Sequence, residues 1–125
     1  MSTSEESSPL DQFAIAPLAN IAAGQQVWSR MAAKYGVENS VPPWKSSLDG
    51  ICDALDHAAC GAEVLSFKER RDEEDWLSST MYADLPYPES QLASLAHSLI
   101  ARGVIEEKEL EQRLTSIRTR LSRSA

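Results

Sequence analysis

The chain has 125 residues, which is enough for one hydrophobic core of modest size but not for two independent ones. Hydrophobic residues make up 42% and charged residues 25%, as in ordinary globular proteins, whereas an aromatic content of 6% is low for a β-sandwich or barrel. A net charge of −7 argues against nucleic acid and anionic membranes as partners, because both require a basic face.

The sequence also argues against membrane insertion and secretion. No apolar run approaches the roughly 20 residues of a membrane span, and residues 1–8 lack the basic and apolar pattern of a secretory signal. These features predict a cytoplasmic protein. Cys52 and Cys60 lie on one predicted helix about 12 Å apart, beyond the roughly 7 Å Cα limit for a disulfide. We therefore expect two reduced thiols in a core.

The first third of the chain contains one predicted helix. Residues 1–8 are mostly Ser, Thr and Glu, which predicts a disordered tail. Apolar residues at steps of three, four and seven then predict a helix over about 17–35, which Gly36 ends. Residues 37–43 include two adjacent prolines and predict an extended or turning segment.

The middle of the chain contains two further predicted helices. Ser46 or Ser47 is placed to cap a helix with the apolar stripe Leu48, Ile51, Cys52, Leu55 and Ala59. Ser66 and Glu69 then have the S-x-x-E spacing of a capping box, which predicts the start of a short and highly charged helix. Arg70 and Arg71 lie just beyond its first turn.

The last third has the clearest helical pattern. A helix is predicted between Pro88 and Gly103, and another follows with leucine or isoleucine at 110, 114, 117 and 121. Residues 118–125 are expected to fray. Because no stretch alternates like a strand, the fold class is a small, irregular all-α domain of about four to five helices with an extended N-terminal arm.

A metal site is one interpretation of Cys52, Asp53, His57 and Cys60, which lie on one predicted helix. Structural zinc sites usually take ligands from two segments and use closely spaced cysteine pairs, so the pattern disfavours this site. The simpler interpretation is that His57 is a polar neighbour of Asp53 and that the cysteines are small core residues.

Acid–base and nucleophilic catalysis have equally little support. His97 lies in the clearest helix, but no nucleophile can be assigned to it. Glu73, Glu74 and Asp75 are adjacent acids, which on a helix point in several directions and usually form a solvated face.

The arginine pair is open to two interpretations. At a spacing of four residues, Arg70 with Glu74 and Arg71 with Asp75 are expected to form surface ion pairs worth a few tenths of a kcal/mol. Adjacent helical residues point about 100° apart, so a functional use of both arginines needs a partner surface that wraps round the helix.

Three segments resemble the N-terminal helical half of the nitrile hydratase beta subunit: residues 65–71, residues 82–87 and residues 92–110. Glu69, Arg70 and Arg71 in tandem are still more similar to the beta subunit of thiocyanate hydrolase. In that enzyme and in toyocamycin nitrile hydratase, two short chains share the work of the usual beta chain. A chain of 125 residues without a barrel-like second half is expected to belong to such a divided enzyme.

The resemblance implies a beta-type subunit of a heteromeric hydro-lyase that is inactive alone and hydrates a C≡N group of a nitrile or thiocyanate-like substrate. Low-spin Co(III), or Fe(III), is expected in a Cys-rich alpha-type partner and not in this chain. A separate small subunit similar to the beta C-terminal half is the second implied partner.

The resemblance also implies the site residues. Arg70 and Arg71 would hydrogen-bond the sulfinate and sulfenate oxygens of the partner, while Tyr87 and Leu65 would line the substrate pocket. Pro88 and Gln91 stand where the family has two further tyrosines.

Residues 9–43 are then interpreted as a helix and arm that wrap a partner, and residues 44–125 as the nitrile hydratase beta-like domain. Two alternatives remain: an activator or metallochaperone of these enzymes, and a helical interaction module without a link to catalysis.

Overall fold

The computed structural model describes residues 14–24, 27–57 and 67–124, and within these ranges the chain forms six α-helices and no strand. The all-α prediction is confirmed, with one helix more than expected. The helices are α1 (Ala16–Gly24), α2 (Trp28–Lys34), α3 (Lys45–His57), α4 (Phe67–Ser79), α5 (Glu89–Ala101) and α6 (Glu107–Ser124). In the described part of the chain, no helix is both long enough and apolar enough to cross a bilayer.

Helix α5 is the central element because most of its residues are buried by the neighbouring helices. Its buried residues are Ser90, Ala93, Ser94, Leu95, His97, Ser98 and Leu99. Helix α4 packs along it, with Leu77 completely buried and with the Ser78 hydroxyl 2.9 Å from that of Ser94. Small side chains on both helices therefore allow a close approach, and the two serine hydroxyls hydrogen-bond each other in the interface.

Two apolar clusters meet at α5. The first joins the N-terminal segment to α4 and α5 through Ile15, Leu18, Val27, Leu77, Tyr82, Leu85 and Ala93. The second joins α3 to the other side of α5 through Leu48, Leu95 and Leu99. Because α1 packs on α5 and α6, it contributes to the core. The prediction that residues 9–43 wrap a partner stays a prediction.

The predicted single helix over 17–35 is wrong, since the structure has two helices there. Val27 has extended backbone angles (φ −100°, ψ 154°) and is buried in the first cluster. The backbone N–H of Trp28 donates to the carboxylate of Glu89 at the start of α5. These tertiary contacts interrupt a segment that its apolar spacing alone would make continuous.

The predicted helix ends at two glycines are confirmed. Gly36 and Gly103 have φ values of 71° and 80°, in the left-handed region that a side chain disfavours. The expected fraying after residue 118 is wrong, because α6 continues to Ser124. Its leucines, arginines and glutamine are good helix formers, and Arg113 pairs with Glu109 one turn earlier.

Several predictions fall outside the described residues: the N-terminal tail, Cys60, the Ser66 cap and Leu65. The segment after α2 is extended and turning as predicted, and it is exposed except at Pro42. Its turn is closed by Asn39, whose side-chain oxygen accepts from Val41 N at 2.9 Å.

Candidate functional site

A cleft of about 380 Å³ lies between α3, α4 and the start of α5. Helix α3 contributes Cys52 and Asp56, and the turn before α5 contributes Tyr87. Its other lining residues come from α4 and α5: Arg70, Arg71, Glu74, Asp75, Ser78, Ser90 and Gln91. The lining is mostly polar and charged, and it brings together three of the four predicted site residues.

Arg70 is the buried centre of this cleft, with 4% of its surface exposed. Its Nε donates to Glu74 Oε2 at 3.0 Å, and its Nη2 donates to the carboxylate of Asp56 on α3. The predicted pair with Glu74 is confirmed, but it is buried and not a surface pair. Asp56 lies fourteen residues earlier in the sequence, on another helix, so no local spacing predicted it.

The two carboxylates keep Arg70 charged. Burial alone would lower the pKa of the guanidinium, but the hydrogen bond to Asp56 and the charge of Glu74 outweigh it and raise the pKa. Burial likewise raises the pKa of Glu74, and the attraction of Arg70 offsets only part of this rise. A cation in this position is consequently permanent across the physiological pH range.

One donor group of Arg70 is left over. Within the described residues, Nη1 is buried and has no hydrogen-bond partner. Leaving a buried donor unpaired costs about 1–3 kcal/mol, so Nη1 would gain from an acceptor that enters the cleft.

Arg71 is exposed and lines the same cleft, together with Asp75. Neighbouring helical residues point in different directions, so Arg70 forms the floor of the cleft and Arg71 its solvent side. The pairing of Arg71 with Asp75 stays a prediction.

Tyr87 stands at the mouth of the cleft with 68% of its surface exposed. The ammonium group of Lys45 lies 5.4 Å from its ring centre and also bonds Asp49 at 2.6 Å. These contacts with Asp49, and then with Tyr87, raise the pKa of Lys45. The mouth therefore combines an aromatic surface with a cation.

The family model described as "Nitrile hydratase beta subunit, N-terminal" matches residues 17–124, which include every residue that lines the cleft. The chain belongs to this family. No curated protein and no solved structure gives a significant match. Membership of the nitrile hydratase beta N-terminal family implies a heteromeric hydro-lyase with an alpha-type partner.

In this family member, sequence reasoning missed Asp56 and did not place Cys52 in the cleft. Cys52 was interpreted as a core residue or, less favourably, as a metal ligand, yet it reaches the cleft, where Gln91 Nε2 donates to its sulfur at 3.8 Å. Burial, and then the charge of Glu74, raise the pKa of the Cys52 thiol. Gln91 was recognised as a pocket position because it stands where the family has a tyrosine.

The residues of the cleft do not suit a metal ion. Asp56 and Glu74 are already bound to Arg70, and the raised pKa of Cys52 keeps its thiol protonated. Across the ranges that the structure describes, no group of three or more His, Cys, Asp and Glu residues is placed to hold one. His57 pairs with Asp53 as predicted, with Nδ1 3.4 Å from the carboxylate.

The expectation of a solvated acidic face on α4 is wrong for two of its three acids. Glu74 is buried against Arg70. Glu73 accepts a hydrogen bond from Ser98 Oγ at 3.2 Å and also binds Arg102 at the end of α5. Asp75 is exposed. Two of these three acids are therefore held in ion pairs with arginines and do not form a solvated face.

His97 is a core residue of this fold. It is fully buried, and its Nδ1 lies 2.7 Å from the hydroxyl of Tyr82, with the two rings edge to face. Burial raises the pKa of Tyr82 to about 12. The pair satisfies two polar groups inside the helical core, away from the cleft.

Proposed function

We propose that this chain is the beta-type subunit of a cobalt-dependent nitrile hydratase-like enzyme that hydrates a C≡N group where it meets a metal-binding alpha-type subunit. The observation that carries the proposal is the buried guanidinium of Arg70 in the cleft, which two carboxylates orient and which keeps one donor without a partner in the described part of the chain. Family membership supports it. A thiocyanate hydrolase-like substrate, and iron in place of cobalt, are variants of the same proposal.

The chemistry of arginine suits the proposed role. A guanidinium offers a planar fork of donors that matches paired anionic oxygens in a poorly solvated site, and the ammonium of lysine does not reproduce this geometry. Asp56 and Glu74 occupy two of the three nitrogens of Arg70. The third nitrogen and the exposed Arg71 are then the donors for the sulfinate and sulfenate oxygens of the alpha-type subunit.

The division of labour follows from this arrangement. The metal of the partner, when bound there, would act as a Lewis acid or activate the attacking water. This chain holds the anionic ligands of that metal in place, and its Tyr87 covers the mouth of the pocket. Since Tyr87 is largely exposed in the isolated chain, docking of the partner is what would enclose the site.

Substitution of either arginine by lysine tests the proposal. Arg70→Lys and Arg71→Lys are each expected to lower kcat on the order of 10²-fold, as when an oriented hydrogen-bond donor is removed from an active site. Assembly should be retained because the positive charge is kept. Turnover is measured on the co-expressed complex, and native mass spectrometry reports its composition.

Arg30→Lys, the same change on exposed α2 outside the cleft, is the matched control and should leave turnover unaffected. Wild-type turnover in both cleft variants would refute the assigned role of the arginines. Metal analysis of the same complex distinguishes cobalt from iron. Turnover of nitriles and of thiocyanate distinguishes the two classes of substrate.

A further inference from the structure

The outer half of α6 presents an apolar stripe that the core does not cover. Leu110 packs against the first cluster and Leu114 is half-buried. Beyond them, Ile117 and Leu121 have 42% and 59% of their surfaces exposed. The four residues recur at steps of four, three and four, which is the spacing of a helix that pairs with another helix.

A second apolar feature lies at the base of the same helix. A groove of about 380 Å³ has Ile15, Ile100 and Ile105 among its lining residues, and Glu106 and Glu107 at its rim. Glu107 is three residues before Leu110 and so lies on the same face of α6 as the stripe. The groove and the stripe are therefore neighbours on one side of the molecule.

The charges along α6 divide into two opposite halves. Residues 106–111 contain four glutamates and one lysine, whereas residues 112–124 contain four arginines and no acid. In a chain with a net charge of −7, this basic segment is unusual. The base of the helix thus combines an apolar groove with an acidic rim, and its end combines an apolar stripe with basic flanks.

We propose that two copies of this chain pair through α6 in antiparallel orientation, so that the basic end of each helix lies on the acidic base of the other. Leu121 of one copy then packs beside Leu110 and the groove of the second copy, and Leu114 packs against Ile117 of the second copy. Such a contact is closed by a two-fold axis, because each surface is used twice.

The residues that flank the stripe select the antiparallel orientation. On one edge, Glu111 faces Arg118 of the second copy, and the two-fold axis repeats this contact. On the other edge, Arg113 lies near Arg120 of the second copy, but each Arg113 is already paired with its own Glu109 at 3.3 Å.

Parallel pairing brings like charges together instead. In that orientation Glu106 faces Glu111 of the second copy, and Arg113 faces Arg118 of the second copy. Charges at these flanking positions determine partner orientation in paired helices. The self-association is independent of the arginine cleft and of the function proposed above.

Sedimentation equilibrium of the full chain, without other subunits, tests the pairing across the micromolar range. The wild-type chain is expected to dimerise reversibly. Leu121→Asp should abolish the dimer, since it places a charge in the seam at a position that is exposed in the monomer. Circular dichroism checks that each variant retains its helical content.

Charge exchange provides the sharper test. Arg118→Glu and Glu111→Arg should each raise the dimer dissociation constant about tenfold or more. The double variant should return the dissociation constant to the wild-type value, because the ion pair forms again with its charges exchanged. Arg123→Glu makes the same charge change off the edges of the stripe and serves as the control.

A chain that stays monomeric across this range, or a double variant as weak as the single ones, would overturn the inference. Loss of alpha-type subunit binding in Leu121→Asp, with a monomeric wild-type chain, would also overturn it and assign the stripe to the heteromer.

Discussion

At the scale of single residues, Arg70 shows how a local pattern acquires a different meaning after folding. Its spacing from Glu74 predicts a weak surface pair, and the pair exists. Helix α3 makes this pair part of a larger cluster, because Asp56 adds a second carboxylate to Arg70. Arg70 and Glu74 are both buried there. An exposed ion pair contributes little, but a buried one is costly to break.

Asp56→Ala is expected to lower the free energy of unfolding by about 1–3 kcal/mol, since it leaves a second donor of the buried Arg70 without an acceptor. Asp53→Ala, on the same helix, removes only the exposed contact with His57 and should cost much less than Asp56→Ala. Urea denaturation measures both. Equal losses would show that Asp56 does not support Arg70 as the structure indicates.

Tyr82 predicts a pH dependence at the same scale. The pKa of its phenol is raised from 10.0 to about 12 by burial, so the protonated form is favoured in the folded state. The stabilisation is complete below about pH 10 and is lost as the pH rises through about 12.

A shift of this size corresponds to roughly 2–3 kcal/mol. The free energy of unfolding of the wild-type chain should therefore fall between pH 10 and 12 by that much more than that of Tyr82→Phe, which cannot ionise. Chemical denaturation at several pH values measures the difference, and parallel pH profiles for the two proteins would contradict the prediction.

At the scale of elements, the pairing of α4 with α5 builds the site. Helix α4 is highly charged, and its inward face combines Leu77 with polar groups that bond Ser94, Ser98 and Arg102. These contacts fix the rotation of α4 about its axis. That rotation in turn directs Arg70 into the cleft and leaves Arg71 on its solvent side.

Leu77→Ala is expected to destabilise the fold by about 2–5 kcal/mol, because the side chain is completely buried where α4 meets α5. Leu92→Ala makes the same change on α5 at a position with 42% exposure and should cost about half as much or less. Thermal or urea denaturation compares the two. A larger loss for Leu92→Ala would place the helix contact elsewhere.

At the scale of the whole molecule, the chain combines a family assignment to a beta-type subunit with a cleft in which Arg70 Nη1 has no hydrogen-bond partner among the described residues. Both observations point to a surface that is completed by another chain. The mostly polar and charged lining of the cleft does not suit a free apolar ligand.

Co-purification distinguishes a subunit from an activator. A subunit is expected to remain in a stoichiometric complex with the Cys-rich chain after metal loading, because its contacts belong to the finished site. An activator should dissociate once the metal is in place. Native mass spectrometry of the co-expressed proteins before and after loading measures this, and release on loading would favour the metallochaperone alternative.

The sequence by itself determined the helical class, most helix positions and the ends at Gly36 and Gly103. These features depend on local properties, namely apolar spacing and backbone conformations that glycine adopts readily. Resemblance in the sequence also pointed to the arginine pair and to Tyr87, which the structure places around one cleft. Their roles stay predictions.

Only the tertiary structure decided the break before Trp28, the burial of Glu74, the pairing of Glu73 with Arg102, and the addition of Asp56 to the environment of Arg70. Each depends on contacts between residues far apart in the chain, and such contacts leave no periodic signal. The physical reason is that burial changes the energy of a charge or a turn, and burial is a property of how helices pack rather than of local sequence.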